Sequence, residues 1–374
     1  MNYEYLDSKI KNKKIMKNLY LIIFSTAFAV LVCEFSLGLM NFSKYKNQKK
    51  IYAYEWKEIL TTTNIEQYVS PSSFLSLKTD SQTMFPLSQV SNKRILVCNE
   101  KDWVIIDTDR YGFNNLDSSW DQEVDFVVIG DSFAFGFCVD SKNNFVSNLS
   151  SFSNLNGINL GQGGNGPLLS FATLKEFGIA LNPKKVIHLI YENDILEFDI
   201  ELKNSFLTET YLDNDKSQNL ILNKKKVDNL LMNTPKLNID YIYTKKVERY
   251  NNIYKQILKK TWHLGNLREK FSLVKKTDLN KDYNKVFNFL KKINRYLNNK
   301  NIDYYVVVIT DPTNKTKIKN KELAKFISQI SKEKIKYINS DDIFNDFKKK
   351  EYWRGHYNEL GYKILAKNFQ KNIE

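Results

Sequence analysis

A chain of 374 residues with 42% hydrophobic and 14% aromatic side chains can build one large core or two smaller ones, which excludes global disorder. The formal charge of +14 comes from 56 Lys and Arg against 42 Asp and Glu. It favours anionic surroundings such as phospholipid headgroups or acidic glycans, unless it is only a lysine-rich surface. No basic stripe interleaves with aromatics, so nucleic acid is set aside. Three cysteines, Cys33, Cys98 and Cys138, exclude a disulfide scaffold and show no paired zinc spacing.

Residues 1–18 hold Lys9, Lys11, Lys13, Lys14 and Lys17, a flank expected on the cytoplasmic side. Leu19 to Met40 follows with Glu34 as its only charge. As a helix it reaches about 33 Å, enough for a hydrocarbon core of about 30 Å. The segment predicts an uncleaved single-pass anchor with the bulk of the chain outside the cytoplasm. A cleaved signal peptide is the rival reading, although no clean small-x-small site follows the apolar stretch. Residues 41–120, broken by Pro71 and Pro86, read as a linker and N-terminal extension. In an oxidising compartment Cys98 and Cys138 could bridge if the fold brings them together.

From 121 to 374 the texture is that of one domain. Asp125–Gly130 is an apolar run ending on a glycine turn, a buried strand. Phe145, Leu149 and Phe152 recur at helical spacing. Ile158–Leu160 and Val186–Tyr191 predict two further strands. Tyr304–Ile309 predicts a fourth, after a helix with Val286, Leu290, Ile293 and Leu297 on one face. Ile335–Ile338 predicts a fifth, and Leu360, Ile364 and Phe369 a closing helix. Apolar strands alternating with helices predict an α/β fold, a parallel sheet covered on both faces, with ligands at the carboxyl ends of its strands. Residues from about 198 to 280 interrupt the alternation, with helical spacing at Val247, Tyr250, Tyr254 and Ile257. They form a helical insertion, either a lid over the sheet's edge or a structural excursion.

Chemistry concentrates at strand ends. Ser132, in Gly130-Asp-Ser132, stands on a turn between strand and helix, where an acyl-transfer nucleophile belongs; a helix-capping serine is the plainer alternative. Asn159-Leu-Gly-Gln-Gly-Gly164-Asn-Gly166 exposes backbone N–H groups as an oxyanion site requires, and it lacks the lysine and serine of a phosphate loop. Asn193, in Glu192-Asn-Asp194, offers an amide donor at the same edge, or serves only its turn. His356 precedes the last helix and can reach Ser132 only through the fold. His188, inside a strand, reads as structural, and His263 as surface or packing.

Taken in order, these blocks resemble the SGNH (GDSL-type) hydrolases, most of all their membrane-anchored bacterial branch. Asp107–Phe113, Tyr191–Asp194 and the long insertion belong to that picture. The resemblance implies a flavodoxin-like three-layer α/β/α sandwich that hydrolyses or transfers acyl groups without metal or organic cofactor. It implies Ser132 as nucleophile, His356 as base, and Ser132 N–H, Gly164 and Asn193 as oxyanion donors. The family's aspartate three residues before the histidine is replaced by Trp353. Glu351, Asp311 or a backbone carbonyl would then have to orient the imidazole. Acylated glycan of the cell envelope, above all O-acetyl esters, is the expected substrate. A catalytically impaired glycan-binding or scaffold protein is the alternative.

Overall fold

The computed structural model describes all residues except 1–2, 77–83, 101–102, 214–215, 235–238, 241, 245–247, 249–258, 271–281, 313–319 and 373–374. The chain divides into two compact units, Met1–Thr61 with Ile239–Asp278, and Thr62–Asn238 with Leu279–Glu374.

In the first unit, the helix Tyr3–Thr62 contains Lys13–Met40, long and apolar enough to cross a membrane, with a mean hydropathy of 2.1. Its large side chains from Ile15 to Phe28 are exposed, as a lipid-facing surface requires. Glu34, the charge that interrupts the apolar run, is fully buried. Its carboxylate accepts from the backbone N–H groups of Asn266 (2.6 Å) and Leu267 (2.7 Å) and from the Asn266 amide (2.9 Å). These donors open the short helix Gly265–Lys270, whose first N–H groups have no intrahelical acceptor.

The second unit begins with a small sheet. β1 (Glu66–Gln67) lies parallel to β2 (Arg94–Asn99), which pairs antiparallel with β3 (Trp103–Asp107). Then come β4 (Phe126–Gly130), β5 (Gly157–Asn159), β6 (Lys185–Ile190), β7 (Asp303–Val308) and β8 (Lys336–Asn339). They form one parallel sheet in the order β5-β4-β6-β7-β8. This is the flavodoxin-like order, which puts β4 at the point where the winding reverses.

Alternation along each strand explains the layers. Val127, Ile129, Val186 and Val306 pack on one face with the helices Pro167–Thr173, Tyr283–Asn298 and Asn320–Lys332. Phe126, Val128, Ile187 and Val307 pack on the other with Phe145–Ser153 and Glu359–Gln370. The expected strands and closing helix are therefore in place, as three layers. Side-chain caps start several helices, with Asn144 accepting from Ser147 N–H and Asn358 from Gly361 N–H.

Two segments differ from their sequence reading. The stretch expected as linker and N-terminal extension, 41–120, joins the sheet unit from Thr62 onward. Buried Asp109 organises it, accepting from the N–H groups of Tyr111 and Phe113, the Asn115 amide and the Trp120 indole. Asn115 in turn exchanges two hydrogen bonds with the backbone of Asn159 at the end of β5. The insertion is divided as well. Its first part packs in the sheet unit, where Val227 and Leu231, one helical turn apart, enter the core. Its second part, Ile239–Asp278, belongs with the N-terminal helix. The helical positions expected at Val247, Tyr250, Tyr254 and Ile257 lie outside the described residues.

Candidate active site

β4 ends on Gly130, and the next carboxylate, Asp131, accepts from Phe133 N–H (2.9 Å), capping the four-residue helix Ser132–Phe135. Ser132 thus stands at the first position of that helix, at the carboxyl end of β4, where its own N–H has no intrahelical acceptor. His356 arrives from the turn before the last helix. Its Nε2 lies 2.8 Å from Ser132 Oγ, although the two are 224 positions apart.

The other ring nitrogen also has a carboxylate partner. His356 Nδ1 lies 2.7 Å from Glu100 Oε1, and His356 backbone N–H donates to Glu100 Oε2 at 3.3 Å. Glu100 sits at the tip of the β2–β3 hairpin, in the stretch expected to be a linker. A proton on Nδ1 donated to this carboxylate leaves Nε2 as the acceptor for the serine hydroxyl. The two side chains are 21% and 22% exposed, so water reaches the pair without flooding it.

The orienting groups expected from sequence, Glu351, Asp311 or a backbone carbonyl, are therefore replaced by Glu100. Trp353, at the position of the absent aspartate, is buried and stacks on Phe133 with ring centroids 5.4 Å apart. The imidazole lies between Phe133 and Phe137, at 4.9 and 5.4 Å. Aromatic rings thus flank the imidazole on both sides. Gly355 leaves room for the new acid: its φ is +117°, and a Cβ there would come within 2.5 Å of Glu100 Oε1.

The glycine loop after β5 is clamped from the N-terminal side. Tyr68 hydroxyl accepts from Gly163 N–H (2.6 Å), and Ser70 hydroxyl donates to the Gly163 carbonyl. Gly164 has φ +78°, and a Cβ on it would meet Ser72 Oγ at 2.7 Å. Among the described residues, Gly164 N–H donates to no protein acceptor. Asn193 is a neighbour of Asp131, the residue before Ser132, and works against the burial that raises its carboxyl. Its amide also donates to Glu197 Oε1 at 2.9 Å. One of the expected oxyanion donors therefore already serves a neighbouring acid.

Those acids form a buried group beneath the site. Burial pushes Asp131 up to about 6, Glu197 to about 7 and Glu201 to about 8, and raises Asp194 well above the carboxylate range. Glu201 accepts from Gly166 N–H (2.6 Å) and Leu168 N–H (2.9 Å), fixing the end of the glycine loop. His188 is structural: burial pushes it down to about 3, and its Nδ1 meets Tyr304 hydroxyl at 2.8 Å. His263 belongs to the other unit. Donor atoms of Glu100, Cys138 and His356 lie within 4.8 Å of one another. They do not suit a metal, because the Cys138 sulfur is held in a disulfide and the other two groups bond each other.

Sequence reasoning missed Glu100, yet a signal was present. Ile95–Cys98 and Trp103–Ile106 are two apolar runs around the polar Asn99–Asp102, the pattern of a hairpin. It predicts the turn and gives no hint that the turn meets a histidine 256 positions away.

No protein-family model and no curated protein matches the chain. Solved structures do. A protein described as lipolytic and of the G-D-S-L family, from Desulfitobacterium hafniense DCB-2, is 13% identical, with 66% of this chain and 97% of that one covered and a TM-score of 0.38. A GDSL-like lipase from Bacteroides thetaiotaomicron VPI-5482 is 12% identical, with 70% and 92% covered and a TM-score of 0.35. These are distant likenesses of fold, and the chemistry has to be read from the site itself.

Proposed function

We propose that this chain is a serine hydrolase of the SGNH type, working by two-step acyl transfer with Ser132, His356 and Glu100. The observation that carries the reading is the unbroken hydrogen-bond chain from Ser132 Oγ through both ring nitrogens to Glu100. His356 takes the serine proton as Oγ attacks an ester carbonyl, Glu100 holds the tautomer and balances the imidazolium, and His356 returns the proton to the leaving oxygen. Ser132 N–H, Gly164 N–H and the Asn193 amide are the donors proposed for the oxyanion. Water, or a second hydroxyl that excludes it, then releases the acyl group, so the same site serves hydrolysis or O-acyl transfer.

The apolar helix Lys13–Met40 supports a membrane anchor, and a disulfide at Cys138 suits a compartment outside the cytoplasm. O-acetyl esters of envelope glycans are the substrate class proposed for a basic, anchored domain facing the cell surface. The test is covalent labelling by a fluorophosphonate probe together with turnover of p-nitrophenyl acetate. Labelling at Ser132, lost with turnover in Ser132→Ala, is the expected result. Folded protein that neither labels nor turns over would leave a glycan-binding or scaffold role in its place.

A further inference from the structure

The backbone donor proposed for the oxyanion sits on a loop with little to hold it. Four of the six residues 161–166 are glycines, which have no side chain to pack and wide backbone freedom. The two ends of the loop are tied to the large sheet and its helices. Gly161 N–H donates to Asn159 Oδ1 (2.9 Å), Gln162 N–H to the Gly130 carbonyl (3.1 Å) and Gly166 N–H to Glu201. The middle, Gly163 and Gly164, is gripped instead by residues 68–72, which lie outside that sheet.

A single peptide unit joins Gly163 to Gly164. It is planar and trans, so its carbonyl and the Gly164 N–H point in opposite directions, and a group that fixes one aims the other. Ser70 hydroxyl donates to that carbonyl. With its proton placed there, Ser70 accepts from Ser72 hydroxyl across the 2.7 Å between the two oxygens. Hydroxyls in series polarise one another and the peptide they bind, which makes the N–H at its far side a better donor. Tyr68 hydroxyl accepts from Gly163 N–H at 2.6 Å and fixes the preceding peptide. The grip is itself anchored through Val69, between Tyr68 and Ser70. Its N–H and carbonyl both bond the Gln89 amide, at 2.8 and 2.7 Å, and Gln89 Nε2 donates to Gln162 Oε1 at 2.9 Å. The serines also press on the loop, since a Cβ on Gly164 would lie 2.9 Å from Ser70 Oγ.

Resting on the hydrolase reading above, we infer that Ser70, backed by Ser72, is the positioning residue of the oxyanion hole. It touches no substrate and acts through Gly164. The hazard it removes is a peptide flip. Half a turn of the unit between two glycines, which their backbone freedom permits, would present a carbonyl oxygen to the developing negative charge in place of an N–H. Holding the carbonyl from behind keeps the donor aimed before substrate arrives.

The experiment uses the full chain in detergent, assayed on p-nitrophenyl acetate and on its thiono analogue, in which sulfur replaces the carbonyl oxygen and accepts hydrogen bonds weakly. Ser70→Ala is expected to lower kcat on the oxygen ester about tenfold to 10²-fold with KM unchanged. On the thiono ester it is expected to lose much less, because sulfur makes little use of the donor that Ser70 aims. Ser72→Ala should show the same pattern with a smaller loss. The inference is overturned if Ser70→Ala keeps the wild-type kcat, or if it loses as much on the thiono ester as on the oxygen ester, as general loosening of the fold would produce. Should Ser70→Ala fail to fold, the same comparison of the two esters on Ser72→Ala decides. Folded wild-type protein that neither labels with the fluorophosphonate nor turns over would instead overturn the hydrolase reading, and this inference with it.

Discussion

The edge of the large sheet and the tip of the small hairpin each supply part of one hydrogen-bond chain, by opposite physical routes. Ser132 is placed by a strand buried on both faces and by a capped turn, all within seven residues of sequence, Phe126 to Ser132. Glu100 is placed by a strand pair with one half-exposed member and by contacts made across the fold. Local structure fixes Ser132; tertiary structure alone fixes Glu100. A missing acid in a local motif is therefore weak evidence of lost catalysis.

The sharpest way to break this contrast is to remove the hairpin's contribution and leave the sheet intact. Glu100→Gln is expected to lower kcat by about 10²–10⁴ with little change in KM, because the imidazole loses the partner that sets its tautomer. Glu351→Gln and Asp311→Asn, measured in the same esterase assay, are expected to leave kcat unchanged. If either matched Glu100→Gln, the acid would belong to the sheet side after all.

Asn193→Ala probes the sheet's own edge. As an oxyanion donor its loss is expected to cost about 10²–10³ in kcat. An amide that serves only Glu197 would show instead as a loss of thermal stability at unchanged kcat. Gly355→Ala tests the meeting point of the two regions, since the added Cβ pushes directly on Glu100 Oε1. A loss of roughly tenfold to 10²-fold in kcat is expected, together with about 1–3 kcal/mol of stability from the disfavoured backbone angle. If Gly355→Ala costs as much again in the Glu100→Gln background as it does alone, the clash acts elsewhere.

The smallest expected effect lies beneath the site. The folded protein holds protons on Asp131, Glu197 and Glu201 at pH values where the unfolded chain has released them. The contribution of these three groups should therefore be complete below pH 4 and fall as pH rises towards 8, by at most about 1.4 kcal/mol per pH unit for each. Thermal melts at pH 5 and pH 8 read the slope, and Glu201→Gln should flatten its upper part. A melting temperature that rises over this interval would contradict the assignment.

The five-stranded sheet was legible because its central strands are apolar on both faces, as Val127-Val-Ile129 and Val306-Val-Val308 show. Ser132, Gly164 and Asn193 were legible for the same reason, since a strand end is a local address. Glu100 was hidden because its role depends on Gly355 giving way and on Phe133, Phe137 and Trp353 setting the angle of the imidazole. None of those conditions is written near residue 100. The small sheet itself was missed for a plainer reason. Pro71 and Pro86 drew the reading of 41–120 towards a linker, although Asp109 and Asn115 bind the segment to β5.

The carboxylate of Glu34 carries a practical lesson for anyone making a soluble form of this protein. Deleting the apolar helix would strand the amides of Asn266 and Leu267 that close on it. The truncation that follows therefore starts at Thr62 and also removes Ile239–Asp278, taking out both halves of the same unit in one design.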